Sequence, residues 1–158
     1  DGTETHLPAG VHPEVRLTVS NELRNYIRDH VHIEFDGIED SKGLIGEVID
    51  DATGIVNMIV TMGNIVTVRG YGLKIESDEA HEAQAGAFLV NSDGGDEIRV
   101  KAVAMNEPRT LKLLIPTTLS TDADYTLLIR TQSSTKGTSY LLKDLREVRS
   151  DFMLKAQE

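Results

Sequence analysis

Between Gly46 and Leu154 apolar residues recur at every second position in run after run, and each run closes on Gly, Asn, Asp or Pro. Successive residues of a strand point to opposite faces, so this alternation describes strands with one face on a core and the other toward water. The runs are Glu47 to Ile49; Ile65 to Arg69, continuing past Gly70 and Gly72 to Ile75; Ala87 to Val90; Glu97 to Ala104; Thr110 to Ile115; Tyr125 to Thr131; Tyr140 to Lys143; and Asp151 to Lys155. Asn91-Ser92-Asp93-Gly94-Gly95-Asp96 and Asn106-Glu107-Pro108 supply turn chemistry between neighbouring runs.

Seven or eight short strands within about 110 residues is the number expected of an immunoglobulin-like Greek-key β-sandwich, so the fold class is mostly β. Aromatic residues are only 4% and Trp is absent, which leaves Val, Ile, Leu and Ala to fill the interior and few platforms for stacking bases or sugars. In Leu119-Ser120-Thr121-Asp122-Ala123-Asp124-Tyr125 the layout is that of a tyrosine corner, in which the hydroxyl bonds back to the chain just upstream. The same pattern also suits a Tyr125 that is simply a core aromatic.

With 26 acidic and 16 basic residues the net charge is −10, which opposes a general electrostatic grip on phosphate backbones. The absence of Cys removes disulfides, thiol catalysis and thiolate metal sites, and is compatible with a reducing or an oxidising compartment. No stretch approaches the roughly 20 apolar residues of a membrane-spanning helix, so the chain reads as soluble. It begins at Asp1 without Met and reads as a piece of something longer.

Ahead of the β runs the period is mixed. Residues 1–13 carry Gly2, Pro8, Gly10 and Pro13 and read as irregular; Glu14 to Val19 alternates as a strand. Ser20 is placed to cap a helix bearing Leu23, Tyr26 and Ile27, and Val31, Ile33 and Phe35 define a second strand that ends at Gly37. Gly37 to Gly46 is the linker, which gives a strand-helix-strand segment in 1–42 and the sandwich in 43–158. Each part carries a net charge of −5, so neither is a basic arm.

Asp50-Asp51-Ala52-Thr53-Gly54, then Thr61-Met62-Gly63-Asn64 and Val66 to Ile75, resemble a bacterial C-terminal domain of unknown function with an immunoglobulin-like fold, known mainly from Bacteroidetes. Gly86 to Asn91, Asn106 to Leu111, Ile115-Pro116, Thr131-Gln132-Ser133 and Leu141 to Arg146 follow in the same order. The resemblance implies a preceding domain similar to the HU and IHF histone-like DNA-bending proteins. Val15 to Ile27 resembles the last strand and closing helix of such a domain, so 1–42 is its C-terminal remnant, without the leading helices and basic β-arms that enter the minor groove.

Other constellations are weaker. His30, His32 and Glu34 share one face of a strand at a spacing that could ligate zinc, but no fourth ligand is evident and a solvated face explains them as well. The oxygen-rich Asn91 to Glu97 lacks the ligand spacing of a calcium loop and reads as a hairpin turn. Glu76 to Glu82 groups carboxylates with His81 but reads as a mobile acidic loop. Gly70-Tyr71-Gly72 lacks the third glycine of a phosphate loop and reads as a bulge or bend. No nucleophile elbow is present.

Lys136, Lys143, Arg146 and Arg149 gather near the C-terminus, and Arg99, Lys101, Arg109 and Lys112 alternate outward, which suits either a local positive face or charged strand edges that resist aggregation. The expected role is a non-enzymatic accessory or interaction module of an HU-like, nucleoid-associated cytoplasmic protein, working as a homodimer with DNA held by the largely absent HU-like domain. Arg24, Arg28, Lys143, Arg146 and Arg149 are its candidate nucleic-acid or partner contacts, and no catalytic, cofactor or metal residue is assigned. The alternative is a periplasmic or surface adhesion module for protein or glycan.

Overall fold

The computed structural model describes residues 42–136 and 139–158. The chain divides into two compact units, 1–38 and 39–158, on the N-terminal side of the boundary expected at residue 42. Every described residue belongs to the second unit. The strand-helix-strand expectation, with Arg24, Arg28, His30, His32 and Glu34, lies outside the described residues.

Ten strands and no helix occur among the described residues: β1 Leu44–Asp50, β2 Ile59–Thr61, β3 Ile65–Tyr71, β4 Gly86–Asn91, β5 Glu97–Val100, β6 Ala102–Asn106, β7 Thr110–Leu114, β8 Asp124–Thr131, β9 Arg146–Arg149 and β10 Leu154–Gln157. One sheet has the order β1-β3-β7-β6; the other runs β2-β10-β8-β4-β5, with β9 also paired to β8. The two sheets form the immunoglobulin-like sandwich that the alternation predicts. Leu111 and Leu113 of β7 and Val66 and Val68 of β3 meet Leu89 of β4 and Leu127 and Ile129 of β8 in one core, each almost wholly buried. Burying each leucine there contributes about 2 kcal/mol.

The other side of the second sheet carries its own small apolar cluster, Phe88, Val90 and Leu128. That explains why β4 is buried on both faces. Arg99 and Arg130 cover it, their guanidinium carbons 5.7 and 5.1 Å from the Phe88 ring centre.

Several expectations are corrected. The run Glu97 to Ala104 is two strands rather than one: β5 edges the second sheet, β6 edges the first, and Lys101 sits where the chain crosses between them. β3 stops at Tyr71 instead of running to Ile75, because Gly72 turns the backbone at φ 66°. The Gly70-Tyr71-Gly72 step is the bend of the two alternatives, at Gly72; a bulge lies on the partner strand β1, where Gly46 is the extra residue between Ile45 and Glu47, and Gly70 opposite it has no room for a side chain, since a Cβ would stand 2.0 Å from the Leu44 carbonyl oxygen. Tyr140 to Lys143 is not a strand; the chain returns to β8 only at Arg146. β2 was not foreseen, and it pairs in parallel with β10.

Tyr125 is a tyrosine corner. Its side chain is 1% exposed, and its hydroxyl oxygen accepts the Ser120 N–H at 2.9 Å. The core-aromatic reading therefore holds together with the corner rather than in place of it.

Candidate functional site

Several cations of this sandwich are engaged with the fold. Arg130 bonds Glu97 through two nitrogens, both at 2.6 Å, and Glu147 through Nε at 2.7 Å. Arg99 donates to the carbonyls of Ala83, Glu82 and Ala85 at 2.9, 3.1 and 2.7 Å. Lys112 lies 3.5 Å from Asp51, and Arg69 lies 3.7 Å from Glu47. Each of these charges is met by a carboxylate or by peptide oxygens.

The C-terminal candidates do not assemble into one patch. Arg146 and Arg149 are three residues apart on β9, so they point to opposite faces. Arg146 turns inward and donates to the carbonyls of Ser133 at 2.7 Å, Lys42 at 3.3 Å and Gly72 at 2.6 Å. Arg149 stands exposed on the outer face opposite Leu128, 3.5 Å from the Thr126 hydroxyl. Lys143 is exposed in the segment before β9, where its carbonyl accepts from Gln132 at 3.3 Å.

The contacts of Arg146 help to shape a cleft at one end of the sandwich. Gly72 carries the chain out of β3, and the Leu73 N–H then bonds the Pro108 carbonyl at 2.9 Å in the turn between β6 and β7. The Thr131 hydroxyl donates to the Lys74 carbonyl at 2.7 Å and accepts the Glu76 N–H at 3.0 Å and the Ser133 N–H at 3.0 Å. These bonds hold three chain segments around a cavity of about 380 Å³ whose walls include Lys74, Glu76, Arg109, Ser134 and Lys136. Lys74 is ion-paired with Glu76.

The acidic loop expected to be mobile is tethered instead. Gln132, fully buried, accepts the Asp78 N–H at 2.7 Å through Oε1, and its amide nitrogen reaches the Asp78 carboxylate at 3.2 Å and the Leu142 carbonyl at 3.0 Å. His81 Nδ1 stands 2.6 Å from the same carboxylate. That imidazole bond holds the Asp78 carboxyl below the ordinary aspartate value, partial burial opposes it, and the Gln132 amide adds to the lowering. Together with the His81 N–H bond to the same carboxylate at 3.0 Å, the pair fixes a turn. The Thr131-Gln132-Ser133 step was part of the family resemblance, but the role of Gln132 as a buried hub has no sequence signal, because a single amide just after a strand carries no period.

Asp50 is a second buried polar hub. Its carboxylate accepts from Thr61 N–H at 2.8 Å, Thr61 Oγ1 at 2.9 Å, Thr53 N–H at 3.1 Å and Thr53 Oγ1 at 2.7 Å. Burial pushes its pKa up, but the donors from Thr53 and Thr61 outweigh burial and leave it below the ordinary aspartate value. It thereby ties β1 of one sheet to β2 of the other. The Asn91 to Asp96 segment closes the β4–β5 hairpin as expected, with the Asn91 side-chain oxygen accepting the Asp93 N–H at 2.8 Å and its carbonyl accepting the Gly95 N–H at 2.9 Å.

A different surface opens where the chain changes sheets. A groove of about 570 Å³ runs beside Ile98, Ala102, Leu114 and Pro116. β6, which borders it, is exposed along its whole length and contains no charged residue.

Two packed sheets with a tyrosine corner define an immunoglobulin-like module. Residues 44–148 match the family described as a domain of unknown function (DUF4469) with an immunoglobulin-like fold, and the chain belongs to that family. Among solved structures it is similar to one from Bacteroides vulgatus named "Putative bacterial DNA binding protein", at 25% identity and a TM-score of 0.65, covering 91% of this chain and 59% of that one. The chain thus spans little more than half of the protein it matches. No curated protein matches it.

Proposed function

We propose that this chain is part of a DNA-associated bacterial protein in which the sandwich is a non-enzymatic accessory domain, while DNA is held by an HU-like region whose closing elements residues 1–42 resemble. The observation that carries this reading is how the sandwich uses its arginines: Arg99, Arg130 and Arg146 donate to carbonyls and carboxylates of their own domain. A duplex-binding surface needs a stripe of cations turned to solvent, and the chain as a whole is at −10. The likeness to the Bacteroides vulgatus protein supports a DNA-related setting and reaches over most of the chain. The proposal includes a homodimer, on the HU resemblance alone.

The test is a mobility-shift titration at low salt with three proteins: the product of the whole gene, the same product lacking residues 43–158, and 43–158 alone. The first two shift a duplex and the third does not. A whole product that shifts no duplex removes the proposal.

A further inference from the structure

We infer that the cleft between the end of β3, the β6–β7 turn and residues 133–136 is a binding site for a small phosphoryl-bearing ligand. This goes beyond the accessory role, which assigns the sandwich no ligand. Among the described residues its walls hold more basic than acidic side chains: Lys74, Arg109 and Lys136 against Glu76. The Arg146 guanidinium lies just behind it, bonded to the carbonyls of Gly72 and Ser133, both lining residues. Three cations and one carboxylate among the described residues thus share its lining, on a chain of net charge −10.

The donor set suits a phosphoryl group. Among the described residues the exposed Arg109 side chain makes no hydrogen bond or ion pair, so its planar fork is available for bidentate contact with two oxygens. Ser134 Oγ accepts the Lys136 N–H at 3.1 Å and so keeps its own proton to donate. Lys74 is held by Glu76, and a ligand of about two negative charges would compete with that carboxylate for the ammonium. The shape selects a small ligand over a polymer. A cavity of about 380 Å³ is at the lower end of small-molecule sites, whereas a duplex requires an open track of phosphate contacts.

The experiment titrates the 158-residue chain with inorganic phosphate and follows amide shifts and melting temperature, with chloride at matched ionic strength as the reference. Phosphate is expected to shift resonances of residues 72–76, 109 and 133–136 and to raise the melting temperature where chloride does not. Arg109→Gln with Lys136→Gln should weaken binding about tenfold or more, while Lys101→Gln with Lys155→Gln, the same loss of charge elsewhere, should leave it unchanged. Glu76→Gln should tighten binding by freeing Lys74, and Asp122→Asn should not. Shifts that chloride reproduces, or equal weakening by both lysine-containing pairs, overturn the site. A short duplex that moves the same resonances and is displaced by phosphate would overturn the small-ligand assignment in favour of a nucleic-acid backbone.

Discussion

The Arg130 guanidinium on β8 reaches across β4 to the Glu97 carboxylate on β5 in two parallel bonds of 2.6 Å, with the Phe88 ring beneath it. Three neighbouring strands are therefore clamped on a face that would otherwise expose an apolar cluster.

Replacing Arg130 with Ala removes the clamp, uncovers Phe88 and leaves Glu97 and Glu147 without their shared cation. Because the pair is partly exposed, the expected loss is about 1–2 kcal/mol rather than the value of a buried pair. Urea unfolding at neutral pH measures it. Arg130 holds the Glu97 carboxyl below its ordinary value. A depressed carboxyl contributes stability above its unfolded value, near 4.3, and loses it as pH falls through the lower folded value. Glu97→Gln should therefore destabilise the protein at neutral pH and converge with the parent in acid.

Asp50→Asn puts two N–H donors where four donors already converge. Loss of the carboxylate should cost about 2–3 kcal/mol, since the Thr61 N–H and hydroxyl are buried and have no water to turn to. The Asp50 pKa is also depressed, so this part of the stability is present above the unfolded aspartate value and disappears on acidification. A neutral-pH stability equal to that of the parent would show that the bridge between β1 and β2 is dispensable.

Tyr125→Phe preserves the buried ring and removes only the acceptor of the Ser120 N–H. A loss of about 1 kcal/mol is expected, with an unchanged dependence on denaturant. Exchange of the Ser120 amide should quicken more than that of its neighbours.

Gln132→Leu keeps the volume but strips the amide from Asp78 and Leu142. About 1–2 kcal/mol should be lost, because the bonds of Gln132 to the Asp78 N–H and the Leu142 carbonyl, both only partly shielded from water, disappear together. The Asp78 amide, now bonded to Gln132 Oε1, should lose its exchange protection. Retained protection there would mean that the acidic loop is held by His81 alone.

Strand positions were legible because alternation survives wherever one face meets the core, as in Thr110 to Leu114 and Asp124 to Thr131. The split at Lys101 was hidden because alternation runs through it, from Ile98 and Val100 of β5 to Ala102, and lapses only inside β6, where Ala102 to Met105 are all apolar. β9 contains Val148 as its single core residue among charges, so its apolar signal was weaker than that of Tyr140 to Leu142, which the structure leaves irregular. The tyrosine corner could be read because it is local. The cleft could not, since Lys74, Arg109 and Lys136 are brought together only by the turn at Gly72 and by the bonds of Thr131 and Arg146. Asp50 and Thr53 form a local pair that a search for side-chain turns would find, but the reach of Asp50 to Thr61 depends on the two sheets meeting.

The salt dependence of DNA binding by the whole gene product, measured with and without residues 43–158, tests the central claim most directly. If the sandwich is an accessory domain that leaves phosphate contacts to the HU-like region, the slopes of log affinity against log salt agree to within about one contact. A slope shallower by several contacts after removal of 43–158 would place the sandwich on the DNA and contradict the account.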